Sequence, residues 1–204
     1  MKILVTGAKG FIGKNLIAHL KNDGYHDIYE YDVDTNPALL KDFCNDAEFV
    51  YHLAGINRPT DQREFMEGNF EFTSLLLGTL SSLNNKCPVM LSSSIQAELN
   101  NPYGESKKAG EELLLDYGRK TGAKVLVYRF PNVFGKWSRP NYNSAIATFC
   151  YNIARGLPVT VNDTQTVVNL VYIDDVVEEL IRALSGNENR EGDYCTVSPV
   201  YNKN

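Results

Sequence analysis

Apolar and polar positions along the chain follow two alternating spacings, and each change of spacing predicts a change of element. Ile3 to Thr6 is a short run of strand formers. Beyond the glycines that follow, Phe11, Ile12, Leu16, Ile17 and Leu20 recur every three to four residues until Gly24. The first segment reads as a buried strand and the second as an amphipathic helix. Further strands are expected at Ile28 to Tyr31, Phe49 to Ala54, Val89 to Ser92 and Val125 to Tyr128, with weaker ones at Val159 to Val161 and Val167 to Val171. Helices are expected at Pro37 to Phe43, Asp61 to Leu83, Tyr103 to Lys120, Ser144 to Arg155 and Asp174 to Leu184. Apolar strands alternating with helices build an α/β fold, a doubly wound parallel sheet with helices on both faces. After Asn132 the loops become rich in Asn, Pro and Tyr. Residues 132–204 are therefore expected to add a small substrate-binding region to a single domain spanning 1–204.

Composition narrows the class of function. The length of 204 residues favours one large domain over two small ones, at roughly 150 residues per domain. Twenty Lys and Arg against 25 Asp and Glu leave a net charge of -5, without the basic field that nucleic acid requires. A hydrophobic content of 43% is enough to exclude disorder as the main state. No apolar run approaches the ~18 to 20 residues of a membrane span. The first residues enter a strand directly, without a signal-peptide stretch, so a cytoplasmic protein is expected. Cys44, Cys87, Cys150 and Cys195 form no CxxC pair, and His19, His26 and His52 are scattered. Free thiols and no metal site are the expectation.

Gly7-Ala8-Lys9-Gly10-Phe11-Ile12-Gly13 lies between the first strand and its helix, the context of a dinucleotide-binding loop in a Rossmann-like fold. Gly7 permits the tight turn, Gly10 lets the backbone approach a pyrophosphate, and Gly13 lets the helix lie close to the strand. The helix N-terminus supplies free N–H groups and a partial positive charge. Asp32, 19 residues after Gly13 at the end of the second strand, is placed to accept hydrogen bonds from an adenosine ribose. That carboxylate favours NAD over NADP, whereas Lys9 and Lys14 are placed to offset a 2′-phosphate.

Tyr103 and Lys107 are four residues apart, hence on one helix face, while Lys108 is turned away by about 100°. A phenol is a poor acid or base at neutral pH, and a neighbouring ammonium is expected to bring its pKa down. Upstream, a buried strand runs into Ser92-Ser93-Ser94 at the carboxyl edge of the sheet, where open α/β folds bind ligands.

Together with His52-Leu53-Ala54-Gly55 and Arg129-Phe130-Pro131-Asn132-Val133-Phe134-Gly135, these motifs resemble the extended short-chain dehydrogenase/reductase superfamily, the NAD-dependent epimerases and dehydratases, over nearly the whole chain. Three segments carry a narrower resemblance, to the reductase half of CapF-type capsular polysaccharide enzymes. They are Ser92 to Ala97, Asn101 to Lys107, and Gly135-Lys136-Trp137 through Pro140-Asn141-Tyr142-Asn143-Ser144 to Tyr151. The resemblance implies NAD(P)H-dependent reduction of the 4-keto group of a UDP-6-deoxy-N-acetyl-hexosamine. Tyr103 would be the acid/base, Ser94 would hold the carbonyl oxygen, and Lys107 would bind the nicotinamide ribose and lower the tyrosine pKa. Cofactor contacts would come from Gly7, Gly10, Phe11, Ile12, Gly13, Leu53, Ala54, Gly55, Tyr103, Lys107 and Phe130, and substrate contacts from Ser94, Asn132 and Asn143. The subgroup implies NADPH, whereas Asp32 points to NADH.

The resemblance also implies a homodimer through Asp61 to Leu83 and Tyr103 to Lys120, with Leu75, Leu76, Leu77, Leu113, Leu114 and Leu115 as apolar contacts that serve equally well to face the sheet. The chain departs from the pattern in two places. Val168-Asn169-Leu170 stands where an Arg-Asp-Phe is usual, and nothing corresponds to the metal-binding cupin domain of CapF-type chains, as expected of a piece of a longer protein. Two other readings remain open, an NAD-dependent nucleotide-sugar epimerase and a non-catalytic dinucleotide-binding module. A 4,6-dehydratase is disfavoured because Ser94-Ile95-Gln96 lacks the acidic neighbours that elimination uses.

Overall fold

The N-terminal half is a repeated strand–helix unit in which the first and third strands are buried on both faces and the second, at the edge of the sheet, only in part. In the computed structural model, which describes all residues except Asn162, Thr164 and Asn204 and the side chains of Asn202 and Lys203, this half runs β1 (Ile3–Thr6), α1 (Phe11–Asn22), β2 (Ile28–Tyr31), α2 (Leu39–Asp46) and β3 (Phe49–His52). A helical stretch follows: α3 (Arg63–Met66), a π-helical turn at Glu67–Glu71, and α4 (Phe72–Ser82). Next come β4 (Val89–Ser94), a 3₁₀ turn at Ile95–Glu98, α5 (Pro102–Thr121), β5 (Val125–Phe130) and β6 (Asn132–Phe134). The chain continues through α6 (Ala145–Ile153), β7 (Val168–Tyr172), α7 (Ile173–Leu184), β8 (Arg190–Glu191), β9 (Tyr194–Cys195) and β10 (Tyr201–Lys203).

The main sheet has seven strands in the order β2-β1-β3-β4-β5-β9-β8, parallel except at the β8–β9 edge. Strand alternation divides its apolar residues between two cores. Ile3, Val5, Phe49 and Tyr51 pack with Leu16 and Leu20 of α1 and Val176, Val177 and Leu180 of α7. Leu4 and Val50 pack instead with Leu40 of α2, Leu76, Leu77 and Leu80 of α4, and Leu114 of α5. This is the expected doubly wound sheet. Because β2 and β3 lie on opposite sides of β1, the order reverses there and opens a crevice at the strands' carboxyl ends.

A second, three-stranded sheet, β10-β7-β6, pairs β6 with β7 in parallel and β10 with β7 antiparallel. Although α7, β8 and β9 also belong to residues 132–204, they return to the main sheet and its core.

Several boundaries differ from the sequence expectation for identifiable reasons. The strand expected at Val159 to Val161 does not form: both valines are exposed and no neighbouring strand pairs with them. The third strand ends at His52 rather than Ala54, as the chain turns into the crevice. The helix expected at Asp61 to Leu83 begins at Arg63 and is interrupted by the π turn. Leu76, Leu77 and Leu114 face the sheet, while Leu75 is 56% exposed.

Candidate active site

The glycine loop packs closely between β1, the segment after β3 and α1. Gly7 adopts φ +68°, and a Cβ there would stand 2.7 Å from the Ala54 nitrogen; a Cβ on Gly13 would stand 2.3 Å from the Gly7 carbonyl oxygen. Any side chain would push α1 off the strand. Gly10 caps α1 without a side-chain hydrogen bond, and no acidic residue lies in the first turn. The backbone N–H groups and the positive end of the helix dipole are thus left for an anion. Asp32 braces this loop: its carboxylate accepts hydrogen bonds from the Lys9 N–H at 2.7 Å and the Val33 N–H at 2.8 Å. The Lys9 ammonium pairs with Asp34, whose carboxyl it holds below the usual range.

A cleft of about 600 Å³ opens from this loop across the carboxyl edge of the sheet. Of the residues expected at the site, Gly7, Gly10, Phe11, Ile12, Gly13, Leu53, Gly55, Ser94, Tyr103, Lys107, Phe130, Asn132 and Asn143 all line it, whereas Asp32 and Ala54 do not. The cleft is also lined by Lys9, Lys14, Arg58 and Arg139, and no Asp or Glu is among its lining residues. In a chain of net charge -5, that distribution marks an anion-binding crevice.

Tyr103 and Lys107 are brought together by α5. Asn101 starts this helix by accepting the Gly104 N–H at 2.8 Å, Pro102 occupies its first turn, and Gly122 ends it at φ +76°. Lys107 is buried and its ammonium donates to the Ser92 carbonyl at 3.1 Å, while Lys108 is exposed. Burial pushes the Lys107 pKa down to about 8, opposed by the carboxylate of Glu111 one turn further on. The Tyr103 phenol is raised from its ordinary value by burial, and the neighbouring Ser94 hydroxyl acts the other way. The expected lowering by Lys107 is therefore corrected: the ammonium stands 5.9 Å from the tyrosine ring centroid, and desolvation is the larger effect on the phenol.

Two buried polar networks beneath the cleft were not anticipated from sequence. Asn69, in the π turn, donates to Ser106 Oγ at 3.0 Å and to the Ile56 carbonyl at 2.9 Å, and accepts the Ile56 N–H at 2.9 Å. A Cβ on Gly55 would lie 2.7 Å from Asn69 Oδ1 and 2.9 Å from Lys107 Nζ, so amide and ammonium flank one point of the backbone. Thr73 donates to the Asn69 carbonyl at 2.6 Å and so accepts from His52 Nε2 at 2.9 Å; His52 Nδ1 then accepts from Thr6 at 2.7 Å. These partners fix the tautomer, and burial pushes the His52 pKa down to about 3. In the second network, buried Glu111 accepts from Ser93 and, bidentately, from Arg129, which also reaches Glu98 and the Tyr194 hydroxyl. Asn69–Thr73 and Lys107–Glu111 are each polar pairs within an otherwise apolar helical stripe, the signal that points to them in the sequence.

A doubly wound sheet with a glycine loop at its switch point and a Ser–Tyr–Lys cluster on the neighbouring strand and helix defines a dinucleotide-binding protein of the reductase and epimerase class. The chain belongs to the NAD dependent epimerase/dehydratase family, whose pattern it matches over residues 3–197. It is 46% identical over 186 residues to a UDP-2-acetamido-2,6-beta-L-arabino-hexul-4-ose reductase of Pseudomonas aeruginosa, an alignment covering 91% of this chain and 50% of that protein. The crystal structure of the capsular polysaccharide assembling protein CapF from Staphylococcus aureus superposes with a TM-score of 0.88 at 44% identity, covering 99% of this chain and 54% of that one. A UDP-glucuronic acid 4-epimerase from Bacillus cereus, solved with NAD, shares the fold at a TM-score of 0.84 and 23% identity, covering 99% of this chain and 80% of that one. The chain spans about half the length of the first two.

Proposed function

We propose that the chain is an NAD(P)H-dependent nucleotide-sugar 4-ketoreductase, acting on the 4-keto group of a UDP-6-deoxy-N-acetyl-hexosamine in capsular or O-antigen precursor synthesis. The observation that carries this reading is the gathering of Ser94, Tyr103 and the buried Lys107 in one cleft whose lining holds no carboxylate. Reduction of a ketone needs an acid at the carbonyl oxygen, which Tyr103 is, whereas elimination needs acidic side chains that this cleft lacks. The similarity to the Pseudomonas hexul-4-ose reductase supports the same substrate class.

The glycine loop, the N-terminus of α1, Leu53, Gly55 and Phe130 would hold the dinucleotide, which when bound supplies the hydride for the keto carbon. Ser94 Oγ and Tyr103 Oη donate hydrogen bonds to the substrate oxygen, and Tyr103 passes it a proton as negative charge develops there. Lys107, placed under the site, holds a cofactor ribose and stabilises the phenolate left behind. Asn132 and Asn143 contact the nucleotide-sugar from the other wall. Asp32, just after β2, favours NADH, and comparing rates with NADH and NADPH decides the preference. The homodimer through α4 and α5, with the exposed Leu75 among its apolar contacts, and a cytoplasmic location belong to the same reading. Sedimentation tests the dimer, and cell fractionation the location.

The deciding experiment mixes the protein, NADH or NADPH and a UDP-4-keto-6-deoxy-N-acetyl-hexosamine while following the reduced nicotinamide absorbance. Oxidation of the cofactor is expected, and Tyr103→Phe is expected to abolish it. Undiminished turnover in that variant would overturn the assigned acid. Oxidised cofactor retained through purification, with sugar interconversion and no net oxidation, would instead identify an epimerase. Cofactor binding with no turnover of either kind would leave a binding module.

A further inference from the structure

We propose that Arg58 and Arg139 form a clamp for the diphosphate of the nucleotide-sugar, built around the ring of Tyr142. The two arginines come from different parts of the chain, Arg58 from the connection after β3 and Arg139 from the connection after β6, and both line the cleft together with Tyr142. The Arg58 guanidinium lies 5.9 Å from the Tyr142 ring centroid and that of Arg139 lies 5.2 Å from it. Both guanidiniums thus lie around one ring in the wall of the cleft. Neither makes an ion pair or a side-chain hydrogen bond among the described residues. Each therefore presents its donors to the cleft, in which no acidic side chain competes for them. A phosphate is the acceptor that a free guanidinium fork meets bidentately.

Their position selects the substrate over the cofactor. The glycine loop and the N-terminus of α1 already provide for one pyrophosphate, with Lys9 and Lys14 beside them. Arg58 instead sits on the segment running from Gly55, which abuts Lys107, to Phe65, whose ring lies 5.6 Å from that of Tyr103. That segment runs beside the Tyr103–Lys107 pair. Arg139 follows Trp137 in a loop with φ +67° at Trp137 and +55° at Asn141, a conformation stiffened by a hydrogen bond from Asn15 to the Lys136 carbonyl at 3.1 Å and by the Lys136–Asp174 ion pair at 3.2 Å. The two arginines thus hold the diphosphate from two separately anchored walls, and the attached sugar extends toward Ser94 and Tyr103.

The inference rests on the nucleotide-sugar reading, and its test separates the two. UDP, uridine and NADH are titrated separately into the protein and into Arg58→Gln, Arg139→Gln and the double variant, followed by calorimetry and by the fluorescence of Trp137, the one tryptophan of the chain, which lines the cleft. Both arginines are exposed, so the variants are expected to melt at the wild-type temperature. Each single change is expected to weaken UDP about 10-fold and the double about 100-fold. NADH and uridine should shift less than twofold, and the dependence of UDP affinity on salt should become shallower. UDP affinity unchanged in the double variant, or NADH weakened as much as UDP, overturns the clamp while leaving the reductase reading in place. A wild-type protein that binds NADH but not UDP overturns both.

Discussion

Burial acts on Tyr103 and Lys107 in opposite senses: it raises the phenol and lowers the ammonium to about 8, since each moves toward its neutral form. The site therefore carries a protonated tyrosine at neutral pH and a lysine that titrates just above it. If the charged lysine is what supports the phenolate, turnover falls as pH rises through about 8. Glu111 is the group that opposes the lowering, so Glu111→Gln should move that descending limb to lower pH. A pH–rate profile whose limb does not move contradicts this role for Glu111. His52 gives a second, thermodynamic signature. Its pKa falls from 6.5 unfolded to about 3 folded, so the unfolded state takes up the proton first, and stability is lost as pH falls below about 6.5. Denaturant midpoints measured from pH 7 to 4 should decline for the wild type and decline less steeply for His52→Asn. Of these single residues, Ser94, Tyr103 and Lys107 are legible in sequence because their spacing is local. The direction of the tyrosine shift is not legible, because it depends on what encloses the ring.

At the scale of elements, α5 carries the most chemistry and is the best marked in sequence. Asn101, Pro102 and Gly122 signal its ends, and Leu114 and Tyr117 its buried face. Asn101→Ala removes the hydrogen bond to the Gly104 N–H and should cost about 1 kcal/mol, measured by urea unfolding. Tyr103 lies in the first turn, so the same change is expected to lower turnover more than an equal destabilisation elsewhere. The preceding helix is marked as a helix but not as an interrupted one. The π turn at Glu67–Glu71 places Asn69 against Ile56 and Ser106, partners that lie far along the chain. Short elements show the same limit. The two- and three-residue strands β6, β8, β9 and β10 have no period to read, and exist because a neighbouring strand offers hydrogen bonds. Val159 to Val161 has the composition of a strand, has no such neighbour among the described residues, and stays exposed.

Across the whole molecule, the Ser93–Glu111–Arg129 network ties the sheet to its helical layer. It joins β4, α5 and β5, and Arg129 extends it to Glu98 in the 3₁₀ turn and to Tyr194 in β9, over whose ring the guanidinium lies at 3.9 Å. Removing one partner strands a buried charge. Arg129→Met should therefore destabilise by about 3–5 kcal/mol in urea unfolding. The combination of Glu111→Leu with Arg129→Met should recover most of that loss, because no charge is left behind. A double variant no more stable than Arg129→Met alone would show that the network contributes geometry beyond its charges.

The sequence by itself determined the order of the longer strands and helices, the glycine loop and the Tyr103–Lys107 pair, because each follows from periodicity or from contacts within a turn or two of chain. Only the tertiary structure decided the sheet order that opens the crevice, the clearing of every carboxylate from its walls, and the meeting of Arg58 and Arg139 at Tyr142. Those features depend on residues tens of positions apart coming together, and a local pattern carries no record of which distant partner a side chain meets.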